Sequence, residues 1–333
     1  MPRLLDRRSL AAIAVAALVM IALVVITHRT VGWRQVLDRA STLPAQAWLA
    51  FGVLMSASYL ARLVRFWALV KPLRAGIAFG AAAPVFLVHN ALVTFLPARM
   101  GEVAMPALAH RWAGVHWSGV VGLLAWWRVV DLAIICMVAL ALLGTGTRLF
   151  VPLLALAAAA CMAPVLVFAF RARIIALLQR WSDRSPKARL AALARRVVEG
   201  VPRSWRAVVL DIALAWLAWG AKLVSIAVVL GAAIAPTPMH DSRDVSWPVI
   251  LTATIAADVA GSLPVPSFGG TGAYEAAAVA VLSARGLSPA AALSATLVAH
   301  GVLLAGVLAS GVIGLVLQAS RSLRQDSGGN QQG

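Results

Sequence analysis

Six apolar runs, at about 9–27, 46–70, 119–143, 149–170, 206–232 and 290–318, decide the solvent in which this chain folds. Each comes close to or exceeds the roughly 20 residues that a helix needs to cross a hydrocarbon core. Inside that core every backbone N–H and C=O must find a partner within the protein, which leaves helix as the form such runs take. The proportions agree: of 333 residues, 62% are hydrophobic and 12% charged, with a mean hydropathy of +0.89, far from the balance of a soluble globule. An all-α polytopic membrane protein is expected, with about six transmembrane helices. Arg3, Arg7 and Arg8 precede the first run, but Leu10 to Ile26 is long for a secretion signal and has no convincing cleavage site, so it reads as a retained span.

Two stretches, 77–112 and 247–285, do not fit that pattern. The second is centred on DVAGSLPVPSFGGTGAYE, from Asp258 to Glu275, which packs Pro264, Pro266, Gly269, Gly270 and Gly272 between short apolar arms. Neither arm, Trp247 to Gly261 or Tyr274 to Ala284, reaches spanning length. Asp258 and Glu275 facing lipid would cost about 2.5 to 3.5 kcal/mol each near the centre. A re-entrant helical hairpin is the economical reading; the plainer one is a pair of short tilted spans joined by a turn. The first stretch has the same form, with PARMGE as its break.

Lys and Arg orient the chain. Arg3, Arg7 and Arg8, then Lys71 and Arg74, then the segment 171–206 with ten Lys or Arg, then Arg321 and Arg324 are all expected in the cytoplasm. A loop holding Arg29, Arg34 and Arg39 falls outside on this scheme. Parity then makes 77–112 a hairpin entering from the cytoplasm and 247–285 one entering from the far side. The order span, span, hairpin, span occurs twice with opposite orientation, an inverted repeat of a kind that transporters use. One membrane domain over 1–318 is expected, with halves at about 1–143 and 149–318. Leu190, Leu193, Ala194 and Val197 suggest a basic amphipathic helix on the membrane within 171–206, and 319–333 reads as a disordered cytoplasmic tail. Trp33, Trp48, Trp67, Trp117, Trp205 and Trp247 lie near span ends, as an aromatic belt requires.

The charged residues inside these segments are the candidates for function. At the first tip Arg99 and Glu102 stand three residues apart; an embedded tip makes them an anion site, and a surface turn makes them a screened ion pair. Arg128 and Asp131 stand at i and i+3 in the third span, where they can pair, and the fork of Arg128 suits phosphate. A purely structural pair is the alternative. Lys222 and Asp211 in the fifth span are weaker candidates, and Lys222 can instead snorkel or pair across the bundle. His89 with Asn90, and His300, are single polar residues on apolar helices, explained as well by interhelical hydrogen bonds as by proton transfer. Cys136 and Cys161 lie within apolar runs and read as packing residues. No metal-binding pair, nucleotide loop or activated nucleophile is present, so no catalytic residue, metal or cofactor is expected. A net charge of +17 invites a nucleic-acid reading, but the arginines sit beside apolar runs, where anionic lipid headgroups meet them.

Taken together, HNALVTFLPARMGE, WWRVVDL and PVPSFGGTGAYEAAAVAVL followed by GLSPAAALSATL resemble the flippase-like transmembrane domain of the lysylphosphatidylglycerol synthase family, over nearly the whole chain. On that resemblance Asn90, Pro97, Arg99, Gly101 and Glu102 match the first motif, Arg128 and Asp131 the second, and Pro266, Gly269, Gly270, Gly272 and Glu275 the third. The chain departs from the pattern at Met105 and Pro106, where relatives commonly carry an arginine after the Gly-Glu pair, and at His300 in the last span, again in place of an arginine. The resemblance implies a multi-pass protein of the bacterial inner membrane, both termini cytoplasmic, that moves a lipid between leaflets. Substrate contacts are then expected from Asn90, Arg99, Glu102, Arg128, Asp131, Gly269, Gly270 and Glu275.

The lipid classes implied are anionic phospholipid, aminoacylated lipid, glycolipid and hopanoid. No soluble synthase domain is expected, so a separate lipid-synthesising enzyme is an expected partner, and a homo-oligomer is left open. The rival readings are a membrane-embedded lipid-modifying enzyme and a non-catalytic partner of a lipid synthase.

Overall fold

The computed structural model describes residues 7–144, 148, 150–184, 200–235, 245–263 and 265–329. Helices follow the apolar runs closely: α1 is Arg7–Thr30, α3 Ala45–Val70, α6 Trp117–Gly144, α7 Phe150–Arg184, α8 Trp205–Ile234 and α11 Pro289–Gly329. Five of these, all but α1, contain a stretch long and apolar enough to cross a membrane, and a sixth span is reached if α1 and the short α2, Trp33–Ser41, count as one element bent by 84°. The chain is an all-helical, multi-pass membrane protein.

The two exceptional stretches are helix, break, helix, as their sequences require. In the first, α4 (Phe79–Phe95) leads through a 3-10 turn at Pro97–Val103 into α5 (Ala104–Ala113). In the second, α9 (Trp247–Gly261) and α10 (Ala273–Ser283) pack on each other across the glycine-rich turn. None of these helices reaches spanning length.

Two expectations need correction, and a third falls mostly outside the described residues. Arg34 and Arg39 lie on α2, not in a solvated loop, and Arg39 Nη1 donates to the Ala233 carbonyl at 2.7 Å. A cation at the end of α8 meets the unsatisfied carbonyls and negative dipole found there. The basic segment begins as a continuation of α7 to Arg184, while the amphipathic stretch around Leu190 lies outside the described residues. The tail is helical as far as Gly329, because extending an existing helix carries no nucleation cost.

The helices contribute to two compact units. The first holds 1–58, 89–102 and 220–312, and therefore both breaks: the tip at 97–102 and the turn before α10. Small residues let its helices approach: Gly306 faces the Phe51 ring, and a Cβ on Gly311 would meet that of Ala91 at 2.6 Å. The second unit holds 59–88, 103–219 and 313–333. Its aromatic core joins Phe66, Phe86 and Trp127, with ring centroids 6.0 to 6.4 Å apart. Trp33, Trp48, Trp117, Trp205 and Trp247 are exposed near helix ends, and Trp126 and Trp127 are buried.

Candidate functional site

Charge inside membrane helices must be neutralised, and each unit does so in its own way. In the second unit Arg65 of α3 is 3% exposed and lies between two carboxylates. Its Nη1 donates to Asp131 Oδ1 at 2.5 Å, and its Nε and Nη2 donate to Asp211 Oδ1 and Oδ2 at 2.6 and 3.2 Å. Trp126 Nε1–H donates to Asp211 Oδ2 at 2.8 Å. The guanidinium of Arg65 lies over the Trp127 ring at 5.0 Å, and that of Arg62 over Trp219 at 4.8 Å. Arg62 adds a second positive charge beside Asp131. Two arginines thus meet two aspartates among indole faces, an arrangement in which every partner is needed once all are desolvated.

This corrects the expected pairing of Asp131 with Arg128. Asp131 is buried and its charge is balanced by Arg65 and Arg62; Arg128 is half-buried one turn earlier on α6. A separation of three residues makes a pair geometrically available, but the buried face of α6 turns Asp131 toward α3. Asp211, a secondary candidate, is an integral member of the cluster at 2% exposure.

In the first unit the turn before α10 is held by Glu275 and His300. Gly269, Gly270 and Gly272 have φ of 63°, 77° and 88°, a region costly to residues with a side chain. A Cβ on Gly270 would also stand 2.9 Å from the Gly261 backbone, and one on Gly269 2.9 Å from Leu304. Glu275 occupies the third position of α10 and its Oε2 accepts the Gly272 N–H at 2.7 Å, closing the helix start. Its Oε1 lies 2.6 Å from His300 Nδ1, while His300 Nε2 lies 3.0 Å from the Gly269 carbonyl. A carbonyl only accepts, so Nε2 carries the proton in its contact with Gly269. Tyr274 stacks on the imidazole at 3.9 Å. Glu275 is 2% exposed, with both oxygens engaged by protein groups. The last helix therefore pins both ends of the glycine turn.

Nearby in the same unit, Lys222 Nζ donates to Asp258 Oδ1 at 2.5 Å, with the lysine side chain 19% exposed. Of the alternatives open to Lys222, pairing across the bundle is the one realised. At the first tip, Gly101 sits so close to the Leu92 backbone that no side chain fits, and Glu102 is half-buried. Arg99 falls in the 3-10 turn, with its side chain outside the described residues. Asn90 is half-buried on α4 and its carbonyl accepts from Thr94 Oγ1; His89 is buried. Among the described residues no group of three or more His, Cys, Asp or Glu is placed to hold a metal ion.

The family model described as the lysylphosphatidylglycerol synthase TM region matches residues 9–311. The chain belongs to this family. No curated protein and no solved structure matches the chain. The lysylphosphatidylglycerol synthase TM match takes in both broken elements and every member of the two charged clusters.

Within this family region, the residue missed from sequence is Arg65, together with Arg62. Both interrupt the run 46–70 as Arg128 interrupts 119–143, so the signal was present. Arg65 lies only six residues before Lys71, where a basic residue reads as the flank of a span.

Proposed function

We propose that this chain moves a polar lipid between the leaflets of a bacterial inner membrane, the lipid being an anionic phospholipid or an aminoacylated, glycosylated or hopanoid relative. The observation that carries this reading is the turn at Gly269, Gly270 and Gly272, irregular backbone set between two apolar helices and tied down by the buried Glu275 and His300 side chains. Membrane proteins tolerate such backbone where protein or a water-filled cavity surrounds it, and broken helices are a recurring way to build a transporter's substrate site. Both breaks belong to the same compact unit. In this reading Arg99 contacts the lipid phosphate, Glu102 and Asn90 orient the headgroup, and amides near Gly269 and Gly270 supply further donors. Arg128 is a phosphate contact of its own on α6. Asp131 and Glu275, engaged by protein partners, position rather than bind.

The chain then acts as a transporter on a lipid that a separate enzyme makes or modifies. A strain lacking it should keep the lipid's mass and abundance but change its leaflet, read by labelling with a membrane-impermeant amine or phosphate reagent. A change of mass with unchanged sidedness points instead to an embedded enzyme.

The mechanism also takes α4–α5 and α9–α10 as re-entrant hairpins entering from opposite faces of an inverted repeat, with both termini cytoplasmic. With Cys136 and Cys161 replaced, Ser204→Cys should react with an impermeant thiol reagent only from the cytoplasm and Ser246→Cys only from outside. Both positions are exposed, Ser204 just before α8 and Ser246 just before α9. Reaction of both from one side removes the inverted repeat.

A further inference from the structure

A groove of about 500 Å³ opens in the second unit beside the later turns of α7, lined by Phe168, Ala169, Arg171, Ala172, Ile175 and Arg203. Both charged residues in that lining are arginines. Arg171 lies 21 residues beyond Phe150, about 30 Å along the helix axis, so α7 has covered about one hydrocarbon thickness where this guanidinium occurs. Trp205, exposed at the first turn of α8, stands 5.9 Å from the Phe168 ring and marks the same level as an interfacial aromatic. Phe168, Ala172 and Ile175 fall at i, i+4 and i+7, one apolar stripe of the helix. Arg171 Nε is buried and has no hydrogen-bond partner among the described residues.

A desolvated guanidinium N–H with nothing to donate to is unfavourable unless an acceptor arrives. The groove that Arg171 and Arg203 line offers such an acceptor a place between two forks suited to a phosphate, over a floor suited to glycerol and methylene groups. We propose that this groove binds an anionic glycerophospholipid, its phosphate between Arg171 and Arg203 and its first acyl methylenes against Phe168 and Ala172. The groove shares no residue with those assigned to transport, and the proposal does not depend on that reading.

The test is lipid retention by the purified full chain, read by native mass spectrometry after exchange into detergent with added phosphatidylglycerol or phosphatidylcholine. Wild-type protein should retain phosphatidylglycerol selectively. Arg171→Gln with Arg203→Gln should weaken retention roughly tenfold or more, the loss expected when charge-assisted hydrogen bonds are removed. Arg173→Gln with Arg180→Gln, the same change of charge with both positions on α7, should leave it unaltered. Equal retention of the two lipids, an unaltered first double variant, or equal loss in both double variants would overturn the proposal, the last because it signals diffuse attraction to basic protein. Should the first double variant fail to fold, photo-crosslinking of a diazirine-bearing phosphatidylglycerol to the wild type decides: a modified peptide containing 168–175 supports the site, and labelling only elsewhere removes it.

Discussion

Arg65→Leu should leave little folded protein in the membrane. The substitution strips the shared cation from Asp131 and Asp211, both buried, and removing one partner of a buried ion pair costs about 3 to 5 kcal/mol. That is a large part of the roughly 5 to 15 kcal/mol by which a domain is stable. Arg65→Lys keeps the charge but cannot reach both carboxylates through separate forks, so it should fall between Leu and wild type. Asp211→Asn should cost less than Arg65→Leu, because Arg65 keeps Asp131 and the amide oxygen still accepts from Trp126 Nε1, although the amide NH2 is then set against the Arg65 Nε–H. Thermal unfolding of the purified proteins in one detergent gives the order. Should Arg65→Leu unfold at the wild-type temperature, the cluster is dispensable for the fold.

The second large effect is expected at Glu275. Alanine there frees the Gly272 N–H and the His300 ring in a site closed to water, and each buried polar group left unsatisfied costs about 1 to 3 kcal/mol. Glutamine should rescue most of this loss. With Nε2–H donated to the Gly269 carbonyl, neutral His300 presents a lone pair at Nδ1 that the glutamine amide can fill, while the amide oxygen still accepts from Gly272. The contrast reads out through protease sensitivity at the turn and through lipid transport. If glutamine restores the protected turn but not transport, Glu275 carries a proton needed for movement, and its purely positioning role is wrong.

The helices were largely legible in the sequence because the bilayer is a simple solvent: length and apolarity fix where a helix can cross, and the breaks at 97–102 and 262–272 stand out by their Pro and Gly content. Partner choice was not. Arg65 and Asp131 are 66 positions apart, and joining them depends on how α3 and α6 are rotated, which depends on packing of Phe66, Phe86 and Trp127. Arg128 offered a partner three residues away and drew the assignment. Glu275 and His300 were each visible as polar residues in apolar surroundings, but their connection needs the tight turn that brings Gly269 and Gly272 back to α11. The short α2 was obscured by its composition, since Arg34 and Arg39 resemble loop charge until one of them is seen capping α8.

Movement of lipid is the claim on which the rest of the account turns, and reconstitution tests it most directly. The purified chain is placed in vesicles carrying a headgroup-labelled phosphatidylglycerol in both leaflets, and an impermeant quencher is added outside. The account predicts that quenching proceeds beyond the outer-leaflet pool in vesicles holding the wild type, and that Arg128→Lys, which keeps the charge but loses the fork, slows it while the protein remains folded. Quenching that stops at the outer-leaflet pool with every lipid class offered, in vesicles shown to contain folded protein, would contradict it.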